Sequence, residues 1–386
     1  MNNTNWPKRL FALDVSRGLA ALAVVLRHWI HFFYAGSALP ENFDKSVEPL
    51  YGIFRILYER GELGVEYFFL LSGFIFFWLY RSSIADRSTS LRDFWVQRFS
   101  RLYPLHFATL LVVACLQMLY VSYHGHPFVY YFNDAYHFFL NLLFVSKWGF
   151  EKGLSFNYPV WSISVEILLY FLFFFTAYSG QGRGPFCLGV SVVSFFLAIF
   201  IPSAIVILQA ASLFFLGGFI FHLTLLVSPR SQKWKIGIYV ITAALWILTI
   251  TDFYIFDFSN IILRLGVFGN VFLLGYAYYI LFPLTLFSLV LIEIDHGPGF
   301  LKSVSWVGDI SYSSYLLHFP LQLLFVLGVS MGLLNPNFYL NPVYLIVYFS
   351  ILIPVSYITF VGFERPIQNA IRSKYLRRAS SSSSTL

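Results

Sequence analysis

Apolar residues run along this chain in long blocks separated by short polar joints. Windows of about 20 apolar residues, the length that crosses a bilayer as a helix, predict spans near 11–33, 63–80, 103–123, 161–178, 186–201, 204–226, 236–251, 271–292, 306–330 and 343–363. The pattern reads as an all-α integral membrane protein with about ten transmembrane helices. A shorter apolar stretch at 135–145 is too brief to cross and reads as an interfacial or re-entrant segment. The organisation expected is a short N-terminus (1–10), one transmembrane domain (11–366) and a basic, then Ser-rich, disordered tail (367–386). No internal repeat or large soluble domain is visible in the pattern.

Composition sharpens that picture. Hydrophobic residues make up 58% of the chain and charged residues only 11%, against about 25% charged in a soluble domain. The net charge of +7 resolves into a sided distribution. With the N-terminus cytoplasmic, 17 bases fall on that side and 6 on the other. The bias places both termini in the cytoplasm of a multi-pass inner-membrane protein, and it argues against a nucleic-acid surface. Cys115 and Cys187 lie in apolar runs and are expected to be small core residues. The polar stretch Met1–Arg9 runs straight into the first span without a cleavable-signal pattern, so that span is expected to be retained.

Against this background a few ionisable residues stand out, because a charge at the bilayer centre costs about 2.5–3.5 kcal/mol on insertion scales. The first span, LDVSRGLAALAVVLRHWIHFF, carries Asp14, Arg17, Arg27, His28 and His31. On an ideal helix Asp14, Arg17 and His28 fall within an arc of about 60°, His31 lies just beyond it, and Arg27 points elsewhere. Arg17 and His28 are roughly 16 Å apart along the axis. A polar stripe that merely glues helices requires neither two basic groups in line nor a histidine.

Arg98 and Arg101 stand one turn apart in FWVQRFSRLYPLHF, a spacing that suits phosphate or simple positive-inside anchoring. Glu166 lies one turn inside the span that begins VWSISVE and needs a partner, for which Arg17 and His28 are candidates. SWVGDISYSSYLLHFP sets Asp309, Ser311, Tyr312, Tyr315 and His318 in or near one span, with His318 either a second base or a packing residue. Glu66 is a further membrane acid, free to snorkel or to act in chemistry. No nucleophile elbow, phosphate-binding loop, HExxH or CxxC is present in the sequence. Two function classes compete: a membrane enzyme, and a proton-coupled transporter or flippase, whose spans would also bury charge.

In order along the chain, these blocks resemble the acyltransferase family 3 membrane proteins. The opening block is Leu13, Asp14, Arg17 and Gly18, followed by His28 at the R-x10-H spacing. Next come Gly64, Val65, Phe68, Phe69, Leu71, Ser72, Gly73 and Phe74, then Arg98, Arg101 and Pro104. Trp161, Ser162, Val165 and Glu166 follow, then Ser311, Tyr312, Tyr315, Leu316 and His318, and finally Glu364, Arg365 and Pro366. Val15 and Ser16 depart from the usual Gly-Leu, and Glu66 stands where Asp is usual. The sequence carries no SGNH-type domain of the kind that some family members append.

The resemblance implies transfer of an acyl group, acetyl in the commonest case, from cytoplasmic acetyl-CoA or another acyl-CoA. The acceptor would be a hydroxyl of an extracytoplasmic glycan or lipid-linked saccharide, with no metal. Under that reading Arg98, Arg101 and Arg17 face the CoA side, and His28 acts as general base or carries the acyl group itself. Arg17 is the candidate oxyanion donor, and Asp14 or Glu166 orients or balances charge. Glu66, Ser72, Trp161, Tyr315 and His318 are secondary candidates. Acceptor choice would reside in the loops 34–62 and 124–160.

Overall fold

The computed structural model describes residues 6–376. Among these residues the only β pairing is an isolated bridge between Ala35 and Ala38, and the rest of the regular structure is helical. The helices that matter here are α1 (Phe11–Arg27), α2 (Tyr51–Arg60), α3 (Gly64–Leu79), α4 (Leu91–His124), α5 (Ala135–Leu142) and α6 (Trp161–Tyr178). They are followed by α7 (Gly184–Phe200), α8 (Ile205–Val227), α9 (Gln232–Phe256), α10 (Val267–His296), α11 (Ser311–Ser330) and α12 (Pro342–Tyr375).

Each of the ten predicted spans is helical, and eight continuous helices among the described residues are long and apolar enough to cross a membrane. The predicted span 186–201 is the shorter α7, of 17 residues. The first span is also a 17-residue α-helix, and it tightens into a 3-10 turn over His28–Phe33. The stretch at 135–145 forms the two-turn helix α5, pinned to α4 where His106 Nε2 donates to the Asn141 carbonyl at 2.8 Å. Residues 365–375 continue α12, because Arg372 docks on α4 through Ser100 Oγ (3.2 Å) and the Gln97 carbonyl (3.0 Å). The Ser-rich part of the predicted tail lies outside the described residues. Cys187 is buried as expected, whereas Cys115 lies on the exposed outer face of α4.

Local chemistry explains where the helices begin. At the N-terminus of α4, Ser90 accepts from the Asp93 amide and donates to its carboxylate, so each end of the cap satisfies the other. With 34 residues, α4 is roughly 50 Å long, well beyond a hydrocarbon core of about 30 Å. Arg98 and Arg101 lie on its N-terminal third. The start of α1 is capped from a distance: Glu293 on α10 accepts from the Phe11 and Ala12 amides at 2.8 and 2.7 Å. A carboxylate against a helix N-terminus meets both the free amides and the positive end of the dipole.

Small residues bring backbones together where the site is built. A Cβ on Gly73 would sit 1.8 Å from the Phe214 carbonyl oxygen, so α3 and α8 touch main chain to main chain. Likewise a Cβ on Gly308 would meet the Asp14 carbonyl at 2.2 Å, which locks the short turn before α11 across the start of α1.

Two apolar cores stack along the bundle. One, on the face that carries the N-terminus, gathers Phe74, Phe77, Phe173 and Phe214. The other, toward the opposite face, gathers Trp29, Phe128, Phe319, Phe338 and Tyr348. The loop 124–160 wraps this second core: Asn157 donates to the Leu316 carbonyl at 2.9 Å and Tyr130 stacks on Phe319.

Candidate active site

Within the first core lies a cavity of about 130 Å³ walled by α1, α3, α4, α6 and α11. Its polar lining is Arg17, Ser72, Arg98, Arg101, Ser162, Glu166, Tyr170, Ser311, Tyr312 and Tyr315. Three guanidinium groups thus face one carboxylate. Glu166 accepts from Ser72 Oγ at 2.6 Å. Arg17 donates to Asp14 Oδ1 at 3.0 Å and to the Gly308 carbonyl at 2.8 Å. Arg98 is buried against the faces of Phe76 and Tyr80 and donates to the Tyr80 hydroxyl. The Nε atoms of Arg17 and Arg98 are buried without a partner among the described residues, and an unmet buried donor is costly. Surplus positive charge and orphaned donors together make this a cavity for an anion. Its volume suits a phosphate group or a narrow chain, not a whole nucleotide.

Toward the opposite face, at the C-terminal end of α1, sits a cluster of imidazoles. His28 Nδ1 lies 2.8 Å from His318 Nε2, and His318 Nδ1 lies 2.6 Å from the Tyr315 carbonyl. A carbonyl only accepts, so His318 carries its proton on Nδ1 and presents a bare Nε2. His28 must then donate from Nδ1, which leaves its own Nε2 with a free lone pair. The backbone of His28 is held as well, its carbonyl accepting from Gln322 Nε2 at 2.7 Å. The other end of that amide, Oε1, receives His31 Nδ1 at 3.0 Å, and Tyr130 donates to His31 Nε2 at 3.4 Å. In a 3-10 turn, side chains three apart eclipse. The rings of His28 and His31 accordingly stack at 4.8 Å, while His318, joined to His28 at Nδ1, lies nearly coplanar with it, the ring centroids 4.9 Å and the planes 14° apart.

One face of α11 connects the two regions. Ser311 and Tyr315 line the cavity, and His318 and Gln322 follow at i+7 and i+11 on the same stripe. Tyr315 is the joint: its side chain bonds Ser162 and the Pro159 carbonyl at the cavity wall, while its main chain orients His318.

The structure thus gathers Arg17, Ser72, Arg98, Arg101, Glu166 and Tyr315 in one cavity, and His28 with His318 beyond it. Asp14 is not part of the lining. It is held between Arg9 (2.6 Å) and Arg17 (3.0 Å), and Arg9 also reaches Asp309 at 2.9 Å, so Asp14 positions Arg17. Glu166 pairs with Ser72 rather than with His28. The single stripe predicted along the first span breaks at Arg27, where the 3-10 turn changes the angular step and carries His31 in beside His28. Arg27 faces away, paired with Glu62 at 2.8 Å. Glu66 stands behind the cavity wall with a buried, unpartnered Oε2, so it does not snorkel. Trp161 is tilted against Phe69 and does not line the cavity. Sequence reasoning passed over Gln322 and Glu293. Gln322 was within reach of it, as a lone amide four residues after His318 in an apolar run; Glu293 was not, because its partner is 281 residues away.

Comparison with known proteins bears on this geometry. Over 115 residues the chain is 33% identical to the acyltransferase MdmB of Streptomyces mycarofaciens, covering 29% of this chain and 27% of MdmB. Over 351 residues it is 21% identical to the peptidoglycan O-acetyltransferase OatA of Listeria monocytogenes, covering 80% of this chain and 49% of OatA. The chain therefore spans about a quarter and about half of these two relatives. No solved structure matches. A family model described as an acyltransferase domain matches residues 10–361, a range that takes in α1, the arginine cavity and the histidine cluster alike, and on that match the chain belongs to acyltransferase family 3.

Proposed function

We propose that this protein moves an acyl group, acetyl in the simplest case, from a cytoplasmic acyl-CoA to a sugar hydroxyl at the opposite face of the cytoplasmic membrane. One observation carries the reading: an anion-seeking arginine cavity and a single imidazole nitrogen left bare, joined by one face of α11. The sided distribution of 17 bases against 6 supports a cytoplasmic N-terminal face, and so a cytoplasmic approach to Arg98 and Arg101. The name of the OatA relative supports a glycan as acceptor.

The donor supplies an activated acyl thioester. Arg98 and Arg101 hold its phosphates, and Arg17, anchored by Asp14 and Gly308 through Nη2, lines the cavity with its Nε–H unpaired. His28 Nε2 takes the proton from the acceptor hydroxyl as that oxygen attacks the thioester carbonyl. The C–S bond breaks, the ester C–O bond forms, and the imidazolium returns its proton to the departing thiolate. His318 holds the tautomer that makes His28 Nε2 the base.

The test is mass spectrometry of surface glycans from cells producing the wild type, His28→Ala or Arg98→Ala at equal membrane levels. Acyl groups present only with the wild type support the reading. Glycans that remain acylated without His28 overturn it.

A further inference from the structure

The end of α1 changes helix type with no local cause. The His28 amide still bonds the Val24 carbonyl, as in an α-helix, and a 3-10 turn takes over from His28 to Phe33. The sequence across the change, VVLRHWIHFF, holds no Gly, Pro, Ser, Asn or Asp that would stop or bend a helix. Yet the change decides the shape of the histidine cluster. Residues three apart fall about 60° short of alignment in an α-helix and eclipse in a 3-10 turn. Only the 3-10 form therefore lays His31 on His28, with the ring centroids 4.8 Å apart.

The cause comes from α11. Gln322 is fully buried in the apolar run LQLLFVLG, and both ends of its amide are committed to this one turn. Nε2 donates to the His28 carbonyl at 2.7 Å, and Oε1 accepts from His31 Nδ1 at 3.0 Å. A carbonyl only accepts, so the amide has one orientation, and that orientation holds the His31 proton on Nδ1. The bare His31 Nε2 then faces the Tyr130 hydroxyl at 3.4 Å, a long contact from the loop that wraps this face. A single amide thus spans positions i and i+3, the pair that the 3-10 form eclipses. An apolar side chain here would leave the His28 carbonyl and His31 Nδ1 without it, and nothing else would oppose an α-helical continuation. Gln322 and His31 both lie outside the motif blocks that carry the family resemblance.

We infer that Gln322 is a positioning residue for the base: its amide imposes the 3-10 turn on the end of α1 and so sets where the His28 ring stands. The kinetic side of this inference rests on the acyl-transfer reading and deepens it; the geometric side stands apart from that reading. The two residues of α11 divide the task. His318 fixes which nitrogen of His28 carries the proton, and Gln322 fixes the main chain from which that ring projects.

Two measurements test it: thiol release from acetyl-CoA by inside-out membrane vesicles of producing cells, and 15N NMR of the full, histidine-labelled chain in detergent. Gln322→Met fills nearly the same space without either bond. It is expected to lower the maximal rate about 10–100-fold, as for a reacting group displaced by about an ångström, with the KM for acetyl-CoA unchanged. His31→Phe keeps a ring against His28 but loses the Nδ1–H, and is expected to cost about three- to tenfold, as for one hydrogen bond. Because His31 acts through Gln322, His31→Phe adds no further loss to Gln322→Met. In the spectra the His31 proton sits on Nδ1 in the wild type and is shared between the two nitrogens in Gln322→Met. A wild-type rate in Gln322→Met overturns the inference, as do additive losses in the double variant or an unmoved His31 proton. So does a loss of folded chain with the rate per folded molecule unchanged, which would make Gln322 structural only. If even the wild type releases no thiol while the His31 proton moves as expected, the acyl-transfer reading falls and the positioning by Gln322 stands.

Discussion

The arginine cavity and the histidine cluster share two helices, α1 with the turn that ends it and α11, and they treat hydrogen bonding in opposite ways. In the cavity, buried guanidinium donors are left unmet and three positive charges face one carboxylate. In the cluster nearly every nitrogen is bonded, and the bonds run in sequence until a single lone pair is left over. The first arrangement offers unpaired donors and surplus positive charge, which suits an anion. The second spends its bonds to fix one proton's position. A binding region is incomplete by design, whereas a reacting group works only when everything around it is complete.

That contrast can be broken experimentally. His28→Ala is expected to lower kcat by about 10²–10⁴, the range for a lost general base, with the KM for acyl-CoA unchanged. Arg98→Ala should do the reverse, raising that KM about 10–100-fold, as for a lost charged hydrogen bond, with a smaller effect on kcat. If both variants act on the same kinetic parameter, the two regions are not separate in function. His318→Ala should cost about tenfold in kcat by freeing the His28 tautomer, and His318→Gln, which can accept from Nδ1, should recover part of it. Equal losses in the two would reduce His318 to packing.

Two smaller effects concern the frame. Gly308→Ala forces a methyl against the Asp14 carbonyl and should destabilise the protein by about 1–3 kcal/mol, read as a lower Tm. Glu48, in the loop before α2, is buried with both carboxylate oxygens unpartnered, and burial pushes it up to about 7 from 4.5. The folded state therefore holds this proton more tightly than the unfolded chain. Its stabilising contribution is complete below pH 4.5 and is lost as pH rises through about 7. Glu48→Gln should flatten the fall in Tm over that window, and an unchanged slope would assign the fall to other groups.

The spans and the arginine spacing were legible because hydrophobic blocks and a one-turn Arg98–Arg101 repeat are local features of the sequence. The partnership of His28 and His318 was not. It depends on a 3-10 turn whose onset at His28 no adjacent Gly or Pro announces, and on a contact between residues 290 apart. An ideal helix projected from Asp14 leaves His31 outside the stripe, whereas the 3-10 turn stacks its ring on His28. The full setting of Asp14 was not legible for a related reason. Its proximity to Arg17 is local, but the second claim on it comes from Arg9, outside the span, and Arg9 in turn is shared with Asp309.

The stacking of His28 has a mechanical consequence. Its ring rests on that of His31 at 4.8 Å and is tied at Nδ1 to His318, 2.8 Å away. To swing from a donor to an acceptor it would have to give up a stacked face and a hydrogen bond at each turnover. A clamped imidazole is a fixed post rather than a pivoting arm. In the proposed reaction the thioester and the sugar must therefore both travel to His28.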